Sequence, residues 1–179
     1  MDVRPFTPDD VDAVEAFLAR IPAGEAAFFK EDISAPRTLE QWVQNPAGAL
    51  RFLAVDDGEV LGYTAVIPGV GWSSHVADVR LVVDPERRRA GVGRTLARRA
   101  LVAALEAGMR KLVVEVVADQ GAALALFTGL GFTGEALLVD HIRDRDGQLR
   151  DLMVLAHHVG DTWAGMSAVG LTEALGDPS

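Results

Sequence analysis

The segment from Val79 to Leu96 constrains the fold and function of this chain more than any other part of its sequence. An apolar strand runs into Asp84-Pro85, then an arginine cluster, then two glycines two positions apart, Gly91 and Gly93. Alanines and leucines at helical spacing follow, which predicts a helix. Glycine lets backbone N–H groups approach a phosphate, and a helix N-terminus adds unpaired N–H groups and the positive end of its dipole. The segment therefore predicts a pocket for a phosphorylated ligand.

The residues around the second glycine exclude two common phosphate loops. A dinucleotide-binding loop has a third glycine three residues after the second, where this chain has Leu96. A nucleoside-triphosphate loop continues with Gly-Lys-Ser or Gly-Lys-Thr, whereas Gly93 is followed by Arg94 and Thr95. The ligand is therefore expected to be of another kind, with guanidinium groups available for paired hydrogen bonds to phosphate oxygens.

Two motif blocks resemble one known family. The pattern Arg-x-x-Gly-x-Gly behind a Val-Asp-Pro strand end, filled by Arg88, Gly91 and Gly93, resembles the coenzyme A pyrophosphate loop of the GNAT acyltransferase superfamily. The β-branched run 112–118 leads to Gln120, Ala123, Leu126-Phe127 and Gly131-Phe132, which resembles the strand–helix–Gly-Phe segment of the same family. The blocks stand in the family's order and separation, and the resemblance covers about residues 2 to 157.

The resemblance implies the GNAT fold, of the α/β (α+β) class. In that fold a mixed central sheet of about six to seven strands is flanked by about four helices and is splayed between strands 4 and 5. The central strand, 76–83 here, is expected to carry a bulge that opens the splay. Residues 1–159 would form one GNAT acyltransferase domain, and residues 160–179 a C-terminal tail in which one weak helix is an interpretation.

Cap and turn residues outside the two blocks predict the remaining elements. Asp57-Gly58 and Asp146-Gly147 each lie between apolar alternating runs, as in β-hairpins. Thr7-Pro8 and Thr38 to Gln41 have the residues of helix starts. We expect a short strand at Val3–Phe6, helices opening at Thr7, Glu25 and Thr38, hairpins at 51–67 and 136–157, and a flexible glycine-rich loop at 68–74.

The resemblance also implies a reaction. In GNAT enzymes an amine attacks the thioester of acetyl-CoA directly, in a ternary complex, and no acyl-enzyme forms. The acceptor would be a small-molecule amine, a protein lysine or a protein N-terminus. A backbone N–H of the central strand would polarise the thioester carbonyl, which contributes about 3–4 kcal/mol. The coenzyme-binding residues implied are Leu81, Val82 and Val83 on the strand, Arg88, Arg89, Ala90, Gly91, Val92, Gly93, Arg94 and Thr95 in the loop and helix start, and Gln120 and Phe127 beyond them.

Proton transfer needs an acceptor and, in the usual family mechanism, a donor. Asp78 and His75 precede the expected bulge and are the candidate bases, with Glu115 on the neighbouring strand as a third. A salt bridge to Arg80 or Arg4 is the alternative role of Asp78. Phe127 stands where a tyrosine commonly protonates the leaving thiolate, and phenylalanine has no proton to give. Because a thiolate with a pKa of about 8.5 leaves without an acid, we expect a slower enzyme rather than an inactive one.

The acceptor itself is not determined by these motifs. The segments that bind it in the family offer acidic and aromatic residues, which suit a cationic substrate through ion pairing and cation–π contact. A place in the hydrophobic core is the alternative for the aromatic ones. The candidates are Phe28, Phe29, Glu31, Asp32, Trp42, Trp72 and Asp140.

Composition narrows the function classes. The chain has no cysteine, and its four histidines show no metal-ligand spacing, so no metal site is expected. A net charge of −9 argues against nucleic acid as a partner. No apolar run is long enough to span a membrane and no signal-peptide pattern is present, so a cytoplasmic location is expected. We expect a monomer or a homodimer. Besides the N-acetyltransferase, a non-catalytic acyl-CoA-binding regulator remains possible without the tyrosine, and a nucleotide-binding module is disfavoured by the second motif block.

Overall fold

A computed structural model describes residues 1–22, 25, 36–45 and 47–159. Its seven strands form one sheet in the order β1-β2-β3-β4-β5-β7-β6. Neighbouring strands are antiparallel except β4 and β5, which are parallel. The strands are β1 (Asp2–Pro5), β2 (Leu50–Asp56), β3 (Glu59–Pro68), β4 (Val76–Val83), β5 (Lys111–Val117), β6 (Thr133–Arg143) and β7 (Leu149–His158).

Four α-helices are described, α1 (Val11–Ala19), α2 (Pro36–Gln44), α3 (Val92–Glu106) and α4 (Gly121–Thr128), with short 3-10 turns at Pro8–Asp10, Gly71–Ser73 and Pro85–Arg87. The mixed sheet and the helix number agree with the expected fold class. The helix expected from Glu25 to Asp32 and the tail after Val159 lie outside the described residues, except for Glu25 itself.

The sheet separates two hydrophobic clusters. On one face, side chains of α3 and α4 pack against Ala77 and Val79 of β4 and the alternate residues of β5. On the other face, α1 and α2 pack against Tyr63 and Ala65 of β3. Strand β3 is buried on both faces along most of its length, which explains why it reads as an almost continuous apolar run.

Trp42 belongs to the second cluster. Its ring stacks on Tyr63 with centroids 4.4 Å apart, meets Phe6 edge-on at 6.1 Å, and is 4% exposed. The core role is therefore correct for Trp42. Helix α2 begins at Pro36 rather than at Thr38, because proline is well suited to the first helical turn.

The expected splay between β4 and β5 is confirmed, but the expected bulge in β4 is wrong. Pairing between the two strands runs from Val76 with Lys111 to Asp78 with Val113 and stops there. Over its described pairs β4 keeps one unbroken register with β3, and β5 is paired with β7 along its whole length. The sheet therefore separates between two regular ladders, β3–β4 and β5–β7, and β4 diverges from β5 without an extra residue.

Candidate active site

The gap between β4 and β5 is lined by backbone groups of β4. The carbonyl of Val76 accepts the N–H of Gly69 at 2.8 Å, on the β3 side, whereas that of His75 accepts the N–H of Arg110 at 2.8 Å, on the β5 side. Backbone groups alternate sides along a strand, so Leu81 and Val83 direct theirs into the gap. An extended ligand could pair with them there as a strand would.

Val82 does not share that position. It is paired with Tyr63 of β3, and its side chain packs on the α1 face of the sheet. Of the three β4 residues expected to bind the coenzyme arm, the geometry supports Leu81 and Val83 but directs the backbone of Val82 away from the gap.

The start of α3 presents a cluster of N–H groups. Gly91 is the N-cap and has φ 85°, a left-handed conformation that favours glycine. The first helical hydrogen bond runs from the Thr95 N–H to the Gly91 carbonyl at 3.0 Å, and the Thr95 hydroxyl donates to the same carbonyl at 3.1 Å. The N–H groups of Val92, Gly93 and Arg94 therefore project from the positive end of the helix, where an anion is stabilised.

Gly93 joins this anion site to the gap. A Cβ atom at this position would lie 3.4 Å from Val83 Cγ2, 3.5 Å from Leu126 Cδ2 and 3.9 Å from Leu81 Cδ2. Strand β4, helix α3 and helix α4 thus converge on one glycine. A ligand with a phosphate group at the helix start can continue directly into the gap.

The three arginines of the cluster differ in their surroundings. Arg87 forms an ion pair with Glu59 at 3.2 Å. Arg88 makes two hydrogen bonds to the carboxylate of Glu25, one of them 3.1 Å long. Arg89 is exposed and has φ 63°. To bind phosphate, Arg88 must exchange the Glu25 carboxylate for phosphate oxygens, whereas Arg89 forms no ion pair with the part of the chain that the structure describes.

Two of the three candidate bases lie on the same face of the sheet. Buried Ala77 and Val79 face α3, so the half-buried Asp78 side chain lies on the α1 face, at the last β4–β5 pair. Glu115 lies on that face too, two residues beyond the partner of Asp78. Asp78 accepts a hydrogen bond from the Arg80 Nε at 3.2 Å, which is the ion pair considered as its alternative role.

His75 lies towards the closed end of the two strands. It precedes Asp78 by three residues, about 10 Å along an extended chain. Its side chain is exposed, and its carbonyl accepts the N–H groups of Arg110 and Lys111 at 2.8 and 3.2 Å. This position does not support His75 as the base.

The second motif block lies on α4. Gln120 is the residue before the helix and is half-buried. Phe127 is 4% exposed and packs edge-on against Phe132, with ring centroids 5.3 Å apart. Tyr63, the only tyrosine of the chain, lies on the opposite face of the sheet against Trp42. Neither aromatic residue supplies a proton donor in the gap.

The remaining acceptor candidates are not brought together. Trp72 is 95% exposed in the 3-10 turn between β3 and β4, and Asp140 is exposed on the edge strand β6 with φ 52°. Phe28, Phe29, Glu31 and Asp32 lie outside the described residues.

No sequence motif identified Arg20, which holds Asp84. This aspartate is the first residue of the segment 84–91 between β4 and α3, which contains the predicted phosphate-binding pattern and is called the phosphate loop below. Its Nε donates to Asp84 Oδ2 at 2.7 Å although the two residues are 64 positions apart. No local motif marks such a pair, because only the fold brings the end of α1 next to the end of β4.

No helix within residues that the structure describes is long and apolar enough to span a membrane.

Comparison with known proteins agrees with this geometry. The model of the acetyltransferase (GNAT) family matches residues 17–132. Mycothiol acetyltransferase of Amycolatopsis mediterranei (strain U-32) is 34% identical over 143 residues, which cover 74% of this chain and 46% of that protein. The chain therefore spans less than half the length of this curated relative.

Solved structures share the fold. A ribosomal-protein-alanine N-acetyltransferase from Brucella melitensis superposes with a TM-score of 0.77 at 23% identity, covering 88% of this chain and 99% of that one. An acetyltransferase from Salmonella typhimurium, solved with its cofactor acetyl-CoA, has a TM-score of 0.75 at 18% identity, covering 88% and 93%. With the family model matching more than half of its residues, the chain belongs to the acetyltransferase (GNAT) family.

Proposed function

We propose that this protein is an N-acetyltransferase that transfers an acetyl group from acetyl-CoA to a primary amine by direct attack in a ternary complex. The observation that supports this most strongly is that the anion site at the start of α3 meets the gap between β4 and β5 at Gly93. Coenzyme A has the complementary shape, because its thioester lies at the end of an extended arm that begins at a pyrophosphate.

In this proposal acetyl-CoA supplies the acetyl group as an activated thioester. The N–H groups of Val92, Gly93 and Arg94 hold the pyrophosphate, with Arg88 and Arg89 binding its oxygens. The remaining loop residues, Ala90, Gly91 and Thr95, shape the helix start, and Gln120 and Phe127, just before and near the end of α4, are the further proposed coenzyme-binding residues. Leu81 and Val83 pair with the arm, and one of their N–H groups polarises the carbonyl, a contribution of about 3–4 kcal/mol.

The amine must lose a proton to attack, and Asp78 and Glu115 are the proposed acceptors. Both lie on the face of the sheet opposite α3, so they approach the gap from the side away from the phosphate loop. If either is the base, Asp78→Asn or Glu115→Gln lowers the rate of thiol release by at least about tenfold. If neither does so in enzyme that still binds acetyl-CoA, both assignments are wrong.

Acceptor identity is the finer part of the proposal. The curated relatives named mycothiol acetyltransferase are similar over one part of their length only, so their substrate is one candidate among several. Small cationic amines, lysine peptides and peptides with a free N-terminus complete the panel, because the chain's charge of −9 favours cationic acceptors.

Ligand-dependent thermal unfolding tests the binding site first, with acetyl-CoA, free coenzyme A and ATP as separate additions. A ligand at a hundredfold excess over its dissociation constant stabilises the native state by about 2.7 kcal/mol, enough to raise the midpoint by several degrees. We expect a shift with both coenzyme A compounds and none with ATP. Absence of a shift at millimolar acetyl-CoA would refute the proposal, and an equal shift with ATP would indicate a nucleotide-binding module instead.

A second candidate function is a non-catalytic acyl-CoA-binding module, which the replacement of the usual tyrosine by buried Phe127 favours. Thiol release over the amine panel separates the two functions. Turnover with any amine supports the enzyme. Tight acetyl-CoA binding with no thiol release above the rate of spontaneous hydrolysis supports the regulatory module.

A further inference from the structure

We propose that Arg20 and Asp84 are positioning residues for the phosphate loop and that recognition of the coenzyme A pyrophosphate depends on this pair. The inference rests on the coenzyme A site proposed above. It adds Arg20, which lies outside both motif blocks and comes from the opposite side of the sheet, and it gives a role to Asp84 of the Val-Asp-Pro strand end.

Asp84 fixes the point where β4 turns into the loop. It is 3% exposed, and its backbone N–H donates to the Leu61 carbonyl at 2.9 Å. Its Oδ1 accepts the N–H of Glu86 at 3.0 Å, and its carbonyl accepts the N–H of Arg87 at 2.9 Å. The 3-10 turn that leads to Arg88 is therefore built on this one residue.

Arg20 holds the other oxygen of that carboxylate. It follows α1 directly, and its Nε lies 2.7 Å from Asp84 Oδ2 while its Nη2 donates to the Val60 carbonyl at 2.7 Å. The same guanidinium lies 3.5 Å from Glu59, which in turn pairs with Arg87 at 3.2 Å. Ion pairs thus connect Asp84 to Arg87 through Arg20 and Glu59. They join α1, β3 and the loop.

The electrostatics of Asp84 agree with a rigid pair. Burial raises the pKa of this carboxyl, but the hydrogen bonds from Arg20 and from the Glu86 N–H lower it more, so its pKa lies below the usual value. Because both oxygens already have partners, the loop cannot shift without leaving a buried charge unpaired, and such a loss is strongly destabilising. The N–H groups at the start of α3 are thereby held in the arrangement that binds the pyrophosphate.

The chain contains a matched control pair. Asp10 is also buried, at 6% exposure, and accepts hydrogen bonds from both terminal nitrogens of Arg4 at 2.8 and 2.6 Å. It also accepts a backbone N–H, from Thr7 at 2.8 Å. This pair ties β1 to the start of α1. Among the described residues its side-chain hydrogen bonds are with Pro5, with Thr7 and between the two side chains, and none reaches the phosphate loop, so the pair reproduces the stabilising role without the positioning role.

The test measures the dissociation constants of coenzyme A and of pantetheine, which lacks the pyrophosphate, by thermal-shift titration of full-length variants. The readout is the preference of each protein for coenzyme A over pantetheine. Arg20→Gln and Asp84→Asn are expected to reduce that preference about tenfold, since misplacing binding groups by about an ångström costs up to about a hundredfold. Asp10→Asn is expected to lower the melting temperature and leave the preference unchanged.

Arg20→Lys covers the case in which the other two variants do not fold. Lysine keeps the charge but lacks the planar fork that reaches Asp84 and Val60 together, so we expect a smaller reduction in the preference. The inference is overturned if the preference of the folded variants equals that of the wild type, or if Asp10→Asn reduces it equally. If the wild type itself binds coenzyme A no better than pantetheine, the pyrophosphate site of the proposed function fails as well.

Discussion

Arg89 has a backbone conformation that glycine adopts more easily. Its φ of 63° is in the left-handed region, where an L-residue costs about 1–2 kcal/mol. Its side chain is exposed and lies beside the proposed pyrophosphate site. The backbone strain at Arg89 therefore coincides with a position where a cation can bind phosphate. Strained residues are often found at functional sites.

The substitution Arg89→Gly should separate strain from binding. Removal of the Cβ relieves the strain, while glycine adds freedom to the unfolded chain, so the net gain in unfolding free energy is expected to be at most about 1 kcal/mol. Coenzyme A affinity should fall at the same time because a phosphate-binding cation is lost. Urea unfolding and coenzyme A titration measure the two effects.

Arg89→Ala is the control for that experiment. It removes the guanidinium but keeps the strained backbone, so it should weaken binding without stabilising the fold. Equal stability of the glycine and alanine variants would show that the strain is no larger than the stability lost through the freedom that glycine adds to the unfolded chain. Unchanged affinity in both variants would remove Arg89 from the coenzyme site.

At the level of elements, Gly62 of β3 allows α3 to approach the sheet. A Cβ atom at this position would lie 2.8 Å from Leu96 Cδ1 and 2.8 Å from the Val82 carbonyl oxygen, with Val92 Cγ1 at 3.3 Å. Leu96 is fully buried and the carbonyl belongs to the sheet, so neither has room to move. The lack of a side chain at Gly62 therefore lets the start of α3 lie this close to β3.

Gly62→Ala is expected to destabilise the protein by about 1–3 kcal/mol and to weaken coenzyme A binding, because the start of α3 must shift outward. Gly121→Ala at the start of α4 is a suitable control, since a Cβ there has no atom within 4 Å outside its own chain neighbours and helix backbone. That variant should be neutral or slightly stabilising. Normal stability and affinity of Gly62→Ala would show that the helix is not held this closely.

Elements with local signals were predictable from the sequence. The central strand 76–83 has the expected bounds, and both hairpins form around Asp57-Gly58 and Asp146-Gly147. Features that depend on distant partners were not predictable. The absence of a β4 bulge follows from the ladders to β3 and β7, and the place of Arg20 follows from packing across 64 residues of chain.

At the scale of the whole molecule, acid groups connect stability to pH. Five described carboxyl groups have pKa values below their usual range, each with hydrogen bonds and charges that favour the ionised form, namely Asp10, Asp56, Asp84, Glu135 and Asp144. A lowered pKa in the folded state adds stability above the unfolded-state pKa, and this stability is lost as pH falls through the folded-state pKa. These carboxylates therefore stabilise the fold at neutral pH and stop doing so in acid.

The net charge of −9 acts in the opposite direction above the pI of about 4.8, because self-repulsion decreases as pH falls from 7 to 5. We expect the free energy of unfolding to hold or rise slightly over that range and to fall below about pH 4. Hydrogen bonds from Arg4, opposed by burial and assisted by Thr7, lower the pKa of Asp10 from 3.8 to about 2. This one group should therefore contribute about 2 kcal/mol, lost between about pH 4 and pH 2.

Urea unfolding of the wild type and of Asp10→Asn at pH 7, 5 and 3 measures this contribution. The variant should be less stable at pH 7 and should lose less stability between pH 5 and pH 3, because an amide in place of the carboxyl cannot be protonated in that range. Asp84→Asn should likewise lose less stability than the wild type between pH 5 and pH 3. Parallel pH profiles for wild type and Asp10→Asn would mean that the Arg4–Asp10 pair does not couple folding to protonation, and the loss of stability in acid would then have to arise from the other carboxylates.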